Sequence, residues 1–359
     1  MADSPGHIID RIGRSWSRHC KTIEHELTNS GRVSSFAICR RARQIGVVHW
    51  LDQIAYNVLR RAVRAPQVAM VHHLTADCLE AGVAALDSAD AITTTSTLWQ
   101  QKLETLTGRP VVRIPYSLDT KLFQVRQDRD ASRLAAGLGR RQFVVGFVGK
   151  AGANHANRKG VDVLEAILKN AASRPRNLSL VLVGPGWDSM ARRLRQTGVD
   201  VLQRQYKTTE ETVDAYSLMD ALLITSSEEG GPCTLMEAMA CGVPVVTSLV
   251  GHVREIVIDG ETGFICPNRS PREYIDRLNT LALDADLRCR MASQAREFIV
   301  RERDDSVVIP RVDFPALYNG AIQRFKTRNC IERAIRALPS ACLYARSLAR
   351  PLFRLRSAA

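Results

Sequence analysis

The sequence lacks the features that mark membrane-spanning, secreted and metal-binding proteins. No stretch of the 359 residues reaches the roughly 18 uncharged apolar residues that a spanning helix needs. The start, MADSPGHIIDRIGRSW, has no apolar centre of a secretory signal peptide. Nine cysteines occur without a C-x-x-C pair, which favours free thiols in a reducing compartment. Together these absences predict a cytoplasmic protein.

Signatures of several enzyme classes are missing as well. No G-x-S-x-G occurs, so a hydrolase nucleophile elbow is not supported. The segment GFVGK is not a Walker A loop, because Val144 stands where the first glycine is required and Ala151 where Ser or Thr is required. His49, His72 and His73 follow strand-like apolar runs, but no acidic residue nearby completes a metal set. We therefore predict no metal site.

Acidic residues are scarce at the two ends of the chain, and the net charge of +13 is concentrated there. Residues 324–359 contain nine Lys and Arg against one acid, and residues 1–64 contain eleven against five. Such ends favour anionic partners, namely nucleic acid, a membrane surface or phosphorylated small molecules. No RNA or DNA motif accompanies the charge, so a non-catalytic nucleic-acid-binding protein is an alternative that rests on charge alone.

Short apolar runs alternate with helical patterns along most of the chain. This alternation predicts an α/β protein with parallel sheets covered on both faces. The polar segment 124–141 separates two such stretches and is predicted to be a linker. We expect one domain over 1–123, a second over 142–313 and a basic helical segment over 314–359. The predicted strands are IGVVHW at 45–50, VAMVH at 68–72, AITT at 91–94, VVRI at 111–114, FVVGFV at 143–148, LSLVLV at 178–183, residues 199–202, ALLIT at 221–225 and VPVVT at 243–247.

The loop after ALLIT is the strongest candidate for a ligand site. Gly230 and Gly231 allow a ligand to approach the backbone closely, and Pro232 suits the first turn of a following helix. A helix N-terminus after glycines, at the carboxyl end of a parallel strand, attracts anions. Glu229, judged by itself, is interpreted as an exposed acid of this loop.

Glu237 lies in LMEAMACGVPVV, which is apolar on nearly every side. A buried carboxylate needs hydrogen-bond donors, because an unpaired buried charge is costly. Two ribose hydroxyls would satisfy it. An internal ion pair, or exposure on a solvated helix face, explains the residue equally well, and the sequence leaves these alternatives open.

A second candidate segment combines GFVGK with RKG at 158–160. A strand, a glycine and the two lysines Lys150 and Lys159 can place two cations over a diphosphate. The alternative is that both are surface lysines. His72, at the end of a strand, can act in a cleft through hydrogen bonding or charge, although a structural histidine is the simpler interpretation of any single one.

The segment from Phe143 to Pro267 resembles the retaining glycosyltransferases of family 4, which have the GT-B fold. The resemblance implies two Rossmann-like domains facing across a cleft, the first on the acceptor side and the second donor-binding. IPYSLDTKLF at 114–123 looks like the family's domain-joining motif. The other pieces are GFVGK with RKG, LVLVGPG at 180–186, YKTTEETVDAYSLMDALLITS at 206–226, EEGGPCTLMEAMACGVPVV at 228–246 and GHVREIVIDGETGFICP at 251–267.

The family pattern implies roles for individual residues. Its paired glutamates fall on Glu229, which would contact the transferred sugar, and on Glu237, which would bind the ribose. Lys159 would bind the diphosphate, and His72, with His73 as the fallback, would be the cleft histidine. The implied catalytic set is His72, Glu229 and Lys159. The implied donor-binding set is Gly149, Lys150, Lys159, Gly230, Gly231, Pro232, Cys233, Thr234 and Glu237.

The sequence departs from the family pattern in three places. Lys150 stands where the family usually has arginine, so its phosphate contact would be less bidentate. Ser117 replaces a glycine of the joining motif. The chain begins with an amphipathic helix predicted over 8–27 in place of a strand and Gly-rich loop, so we expect a shortened N-terminal domain.

The resemblance implies a retaining hexosyltransferase that moves a sugar from a nucleotide-diphospho-sugar to a glycan or lipid-linked acceptor in polysaccharide biosynthesis. It implies no cofactor and no metal, because fixed cations and helix-end amides stabilise the leaving diphosphate in such enzymes. A donor-binding pseudo-transferase or a sugar-nucleotide epimerase on the same fold is the alternative. No nucleic-acid partner is expected.

The end of the chain, 322–356, alternates apolar residues with arginines and predicts a basic amphipathic helix broken at Pro339 and Pro351. We expect the stretch before about Arg328 to pack back on the N-terminal domain. The remainder is predicted to attach peripherally to the anionic inner face of the cytoplasmic membrane.

Overall fold

The computed structural model describes residues 8–23, 44, 46–51, 53–151, 158–205 and 208–337, and the chain divides into two compact units. The first unit holds residues up to Tyr116 and those from Ile309 onward, and the second runs from Ser117 to Val308. Each unit is a parallel sheet whose strands alternate with helices, the Rossmann-like architecture of the GT-B fold class. The two units are described separately below.

The sheet of the first unit has four parallel strands in the order β1-β2-β3-β4 among the residues described. Its central strand β2 is buried at all five positions, as a strand covered on both faces must be. The strands are β1 (Val48–Trp50), β2 (Gln67–Val71), β3 (Ala91–Thr94) and β4 (Val111–Arg113). The helices that precede and connect them are α1 (Ile8–His19), α2 (Gln53–Leu59), α3 (Leu79–Leu86) and α4 (Thr97–Thr107).

The sheet of the second unit has six parallel strands in the order β10-β9-β8-β5-β6-β7. Counted from β5, this is the strand order of dinucleotide-binding folds, in which the direction of winding reverses between the first and fourth strands. Here that switch point lies between β5 and β8. The strands are β5 (Phe143–Val148), β6 (Leu178–Val183), β7 (Asp200–Arg204), β8 (Ala221–Ile224), β9 (Val245–Ser248) and β10 (Gly263–Cys266).

Helices surround this sheet and complete its core. Strands β5 and β6 are buried along their whole length, which explains why they appear in the sequence as unbroken apolar runs. The helices are α5 (Arg129–Ala135), α6 (Val161–Lys169), α7 (Asp188–Arg195), α8 (Thr209–Ser217), α9 (Cys233–Ala240), α10 (Val253–Ile256), α11 (Pro271–Leu283), α12 (Ala285–Arg303) and α13 (Asp305–Val308).

The boundaries differ from the expected ones in the middle of the chain. The second unit begins at Ser117 and ends at Val308, so the segment 124–141 suggested as a linker lies within it. Helix α5 belongs to this segment, and its arginines Arg129 and Arg133 bind the buried carboxylate of Asp220. The segment has the charged composition of a linker because these basic side chains serve a buried acid.

The last helix, α14 (Phe314–Ala337), lies in the first unit and packs against β2 and β3. Arg328 of this helix donates to the carbonyl of Ser88 at 2.6 Å and forms an ion pair with buried Asp90 at 3.2 Å. Among the residues described, no helix combines the length and apolar character that crossing a bilayer requires. Residues 24–27 of the predicted first helix, and the tail from 338 onward, lie outside the described residues.

Candidate functional site

Two segments of the second unit meet at the carboxyl edge of its sheet, beside the switch point. One contains Gly149 and Lys150, directly after β5, and Arg158 to Gly160, directly before α6. The other is the loop 225–232 between β8 and α9. In open α/β sheets, ligands bind in the crevice at this position. The structure therefore brings the candidate residues Glu229 to Thr234, Lys150 and Lys159 to the same edge of the sheet.

The segment 158–160 is fastened to the end of β8. The Thr225 hydroxyl donates to the carbonyls of Lys159 at 2.8 Å and of Gly160 at 2.7 Å, and the Ser227 amide donates to the Arg158 carbonyl at 2.9 Å. Gly160 has a φ of 68°, and a Cβ there would lie 2.0 Å from the Thr225 carbonyl oxygen. Only glycine fits this contact, so the RKG triplet fixes the two loops against each other.

Glu229 is the charged centre of the site. Its Oε2 accepts from Arg158 at 2.7 Å, and its Oε1 accepts from Lys159 at 2.5 Å and from the Ser226 hydroxyl at 3.1 Å. Burial alone would raise the pKa of this carboxyl, but the charges and hydrogen bonds of Lys159 and Arg158 outweigh it, so the pKa lies below its usual value. Glu229 is thus held ionised while only 8% exposed.

The burial of Glu229 corrects one interpretation of the sequence. Judged alone, Glu229 was expected to be an exposed acid, because it lies in a polar loop. It is buried because Arg158 and Lys159, about 70 positions earlier in the chain, enclose it. The sequence alone assigned no role to Arg158. Its position beside Lys159 in the RKG triplet was the local pattern that could have pointed to it.

Lys159 reaches Glu229 across Gly149. Its Cε lies 3.6 Å from the position that a Cβ on Gly149 would occupy, so the lysine chain passes Gly149 at van der Waals distance. The Gly149 carbonyl accepts a hydrogen bond from the Trp187 indole at 2.8 Å, which fixes the turn after β5. Lys150 is exposed. The two lysines therefore differ: Lys159 is built into the site and Lys150 projects from its edge.

The glycines before α9 form a tightly packed turn. A Cβ on Gly251, whose φ is 51°, would lie 2.6 Å from the Gly230 oxygen and 2.8 Å from the Gly231 nitrogen, so the loop after β9 supports the Gly230-Gly231 turn directly. Helix α9 then begins at Cys233 with Pro232 at its N-cap. The positive end of the helix dipole and the first amides, those of Cys233 and Thr234, therefore lie at the Glu229 loop.

Glu237 is buried on α9, and its Oε2 accepts a hydrogen bond from the Tyr216 hydroxyl at 2.7 Å. This contact excludes the interpretation of Glu237 as a solvated helix acid. The same hydroxyl lies 3.5 Å from the Thr234 carbonyl, so Tyr216 joins α8 to the first turn of α9. Ribose binding by Glu237 stays a prediction.

His252, which the sequence analysis left without a role, lies behind the glycine turn and is almost fully buried. Burial, together with the charge of Arg303, lowers its pKa to about 3, and a hydrogen bond with the Pro232 backbone acts in the opposite direction. The ring is therefore neutral at physiological pH. Its position in GHVREIV, next to Gly251, was the only signal in the sequence.

Comparison with known proteins agrees with this geometry. The family model for glycosyl transferases group 1 matches residues 142–284. The chain is therefore similar to that family over this segment. It contains β5 to β10, the glycine turn, both glutamates and both lysines of the candidate site.

Known relatives match only part of the chain. The chain is 30% identical over 216 residues to D-inositol 3-phosphate glycosyltransferase of Corynebacterium glutamicum, covering 57% of this chain and 50% of that protein. It is 26% identical over 148 residues to N-acetyl-alpha-D-glucosaminyl L-malate synthase of Bacillus anthracis, covering 41% and 39%. The chain thus spans half the length or less of these relatives.

A solved structure matches more of the chain. Anabaena Alr3699/HepE in complex with UDP-glucose aligns with a TM-score of 0.71 and 19% identity, over 86% of this chain and 95% of that one. At this identity the likeness establishes the fold. It extends beyond the group 1 segment and therefore includes part of the first unit.

The candidate histidines lie in the first unit, outside the group 1 segment. His72 follows β2, and its Nε2 lies 2.9 Å from the Leu51 carbonyl and its Nδ1 2.5 Å from the Tyr116 hydroxyl. A carbonyl can only accept, so Nε2 donates and, in the neutral ring, Nδ1 accepts from Tyr116. His73 contacts the Trp99 ring edge-on. The described residues contain no group of three or more His, Cys, Asp or Glu that could hold a metal.

Proposed function

We propose that the protein is a retaining glycosyltransferase that moves a hexose from a nucleotide-diphospho-sugar to a glycan or lipid-linked acceptor. The observation that carries the proposal is the buried, ionised Glu229 with Arg158 and Lys159 at the switch point, beside the N-terminus of α9. A sugar diphosphate fits this arrangement. The carboxylate can accept hydrogen bonds from sugar hydroxyls, and the fixed cations beside it attract phosphate. The similarity of residues 142–284 to the group 1 family supports the same assignment.

In this proposal the residues act on charge that develops at the leaving group. The bond between the anomeric carbon and the diphosphate oxygen breaks while the acceptor oxygen bonds to the same face of that carbon, and a diphosphate oxygen takes the acceptor proton. Lys159 and the first amides of α9 stabilise the growing negative charge. Glu229 keeps Lys159 in place and offers its oxygens to the sugar. His72 stays a candidate from the family pattern.

Glu237→Ala tests the donor site directly. We expect loss of nucleoside diphosphate binding with an intact fold, since the ribose hydroxyls lose their acceptor. A panel of UDP-, GDP- and ADP-sugars, assayed by nucleoside diphosphate release, identifies the donor, and calorimetry then measures binding to each variant. Glu261→Ala is the matched control, because Glu261 is an exposed acid of the same unit. Wild-type affinity in a folded Glu237→Ala protein would refute the ribose assignment.

We also propose peripheral attachment to the inner face of the cytoplasmic membrane through the basic end of the chain. Each Lys or Arg near an anionic leaflet contributes about 1 kcal/mol at low salt. The test is co-sedimentation of the full chain with anionic vesicles, compared with a chain that ends at Ala337, where α14 ends. Equal pelleting of both chains, or of neither at low salt, contradicts the proposal.

A further inference from the structure

A cavity of about 200 Å³ lies at the amino edge of the second sheet, opposite the candidate donor site. Five arginines and two aspartates line it, which leaves a formal excess of three positive charges. The cavity is bounded by α5, by the turn before β5 and by the start of α12. Its charged lining residues are Arg129, Arg133, Arg140, Arg141 and Arg288 with Asp130 and Asp220.

One buried carboxylate organises the floor of this cavity. Asp220 accepts from Arg129 at 2.7 Å, from Arg133 at 2.9 Å and from the Val144 amide at 2.8 Å. The Nε of Arg288 lies 3.9 Å from the same carboxylate. Three guanidinium groups thus surround a single negative charge, so the floor of the cavity stays positive after its internal ion pairs have formed.

The guanidinium groups are held in place by the backbone. Arg129 donates to the carbonyls of Ser217 at 3.0 Å and Met219 at 2.9 Å, and Arg133 donates to that of Gln142 at 2.7 Å. Arg288 bonds the Leu281 carbonyl and lies over the Phe143 ring at 5.8 Å. Because these contacts fix the cations before a ligand arrives, little side-chain entropy is lost on binding.

The rim of the cavity adds two further cations. Arg140 and Arg141 are exposed, and no acidic partner of either occurs among the ion pairs of the described residues. Asp130 is the opposing charge at the rim. Guanidinium groups bind phosphate and carboxylate oxygens in pairs of parallel hydrogen bonds, and the greater negative charge of a phosphate matches the excess of three positive charges better than a carboxylate or halide does.

We propose that this cavity is a second anion site, which binds a phosphate-bearing ligand at the edge of the sheet opposite the candidate donor site. The phosphate belongs either to a free molecule or to a lipid headgroup, since both present the same oxygens. The site does not overlap the Glu229 loop, so its occupation leaves the donor position open. A ligand there would tie α5 to the start of α12.

Amide hydrogen exchange of the full chain, with inorganic pyrophosphate as the probe, tests the proposal. We expect pyrophosphate to protect peptides covering 129–142, and Arg140→Ala/Arg141→Ala to raise the concentration for half protection about tenfold. The control Arg176→Ala/Arg192→Ala removes two exposed arginines elsewhere in the same unit and should match the wild type. Lys159→Ala should abolish protection of 225–232 only, which separates this site from the donor site.

Vesicles of phosphatidylcholine with and without phosphatidic acid identify the source of the phosphate. Weaker pelleting of Arg140→Ala/Arg141→Ala than of the control variant assigns a lipid headgroup. Equal pelleting with retained protection by pyrophosphate assigns a free phosphate. The proposal is overturned if Arg140→Ala/Arg141→Ala and the control Arg176→Ala/Arg192→Ala behave alike both in protection by pyrophosphate and in vesicle binding.

Discussion

Two buried carboxylates lie at opposite ends of β8 and differ in what surrounds them. Asp220 precedes the strand and is 6% exposed, and Glu229 follows it and is 8% exposed. Each accepts hydrogen bonds from two cationic side chains. Beside Asp220 the side chain of Arg133 is 7% exposed and that of Arg129 is 40% exposed, whereas those of Arg158 and Lys159 beside Glu229 are 20% and 18% exposed.

The buried Arg133–Asp220 pair is therefore structural, whereas Arg129 beside it and both cations beside Glu229 have the exposure to meet a ligand. Asp220 also accepts the Val144 amide, and Arg133 also donates to the Gln142 carbonyl, so Arg133 and Asp220 form a closed network within the fold. Among the residues that the structure describes, Lys159 donates to Glu229 and to no backbone carbonyl, and its side chain is 18% exposed, so it can meet a phosphate while still paired with Glu229. Ion pairs with similar distances at the two edges of one sheet can therefore have different roles.

The largest expected effect is on stability at Asp220. Asp220→Asn should lower the free energy of unfolding by about 3–5 kcal/mol, because it leaves Arg133 buried without its charge partner. Glu229→Gln should lower it by only about 1–3 kcal/mol, since Arg158 and Lys159 can regain water. Urea unfolding measures both, with the exposed Asp276→Asn as control.

Activity should rank the two amide variants in the opposite order. We expect folded Asp220→Asn protein to keep its turnover and Glu229→Gln to lose it. Equal losses of stability, or full turnover in Glu229→Gln, would show that the two carboxylates do not differ as the exposure of their partners indicates.

Lys159→Ala should produce the next largest effect, in donor binding. The loss of one charge-assisted contact to the diphosphate costs about 1.5–3 kcal/mol. Lys150→Ala should cost less, because Lys150 projects from the edge of the site, and Lys150→Arg should be tolerated. Calorimetry and nucleoside diphosphate release measure these effects. Full turnover in a folded Lys159→Ala protein would remove the distinction between the two lysines.

The sequence predicted the sheet of the second unit well, and the physical reason is burial. Strands that are covered on both faces, such as β5 and β6, appear as unbroken apolar runs and need no tertiary information. Strand β10 (Gly263–Cys266) was missed because it is four residues long and begins with glycine. The segment 124–141 was predicted to be a linker because α5 has the charged composition of one, whereas the contacts of the chain group it with the second unit.

The candidate site was predictable in its members but not in their contacts. The glycines, Glu237 and Lys159 follow from local patterns that a sequence displays. The burial of Glu229 and the role of Arg158 depend on a pairing across about 70 residues, and the partners of His72, Leu51 and Tyr116, are similarly distant along the chain. No local pattern encodes such pairings, so they required the structure.

His252 extends the comparison from buried acids to a buried base, which burial and the charge of Arg303 keep neutral. Its pKa of about 3 in the folded protein lies below the ordinary value of 6.5. Between these values the unfolded chain binds the extra proton, so the histidine lowers stability as pH falls, by up to about 1.4 kcal/mol per pH unit. His252→Gln should therefore flatten the decline in unfolding free energy between pH 7 and pH 5. Parallel curves for both proteins would contradict this.

The smallest expected effect is that of chelation, for which we predict no change in turnover. Around Glu229 the positive charge is already supplied by Arg158, Lys159 and the N-terminal end of α9, and a divalent ion would have to displace the ammonium group 2.5 Å from the carboxylate. Turnover measured with EDTA, and again after adding Mg²⁺ or Mn²⁺, tests this. Lys159→Ala is measured in the same way for comparison. If EDTA abolishes wild-type turnover and a divalent ion restores it, the leaving diphosphate is stabilised by metal, and the cations beside Glu229 serve to hold the loop.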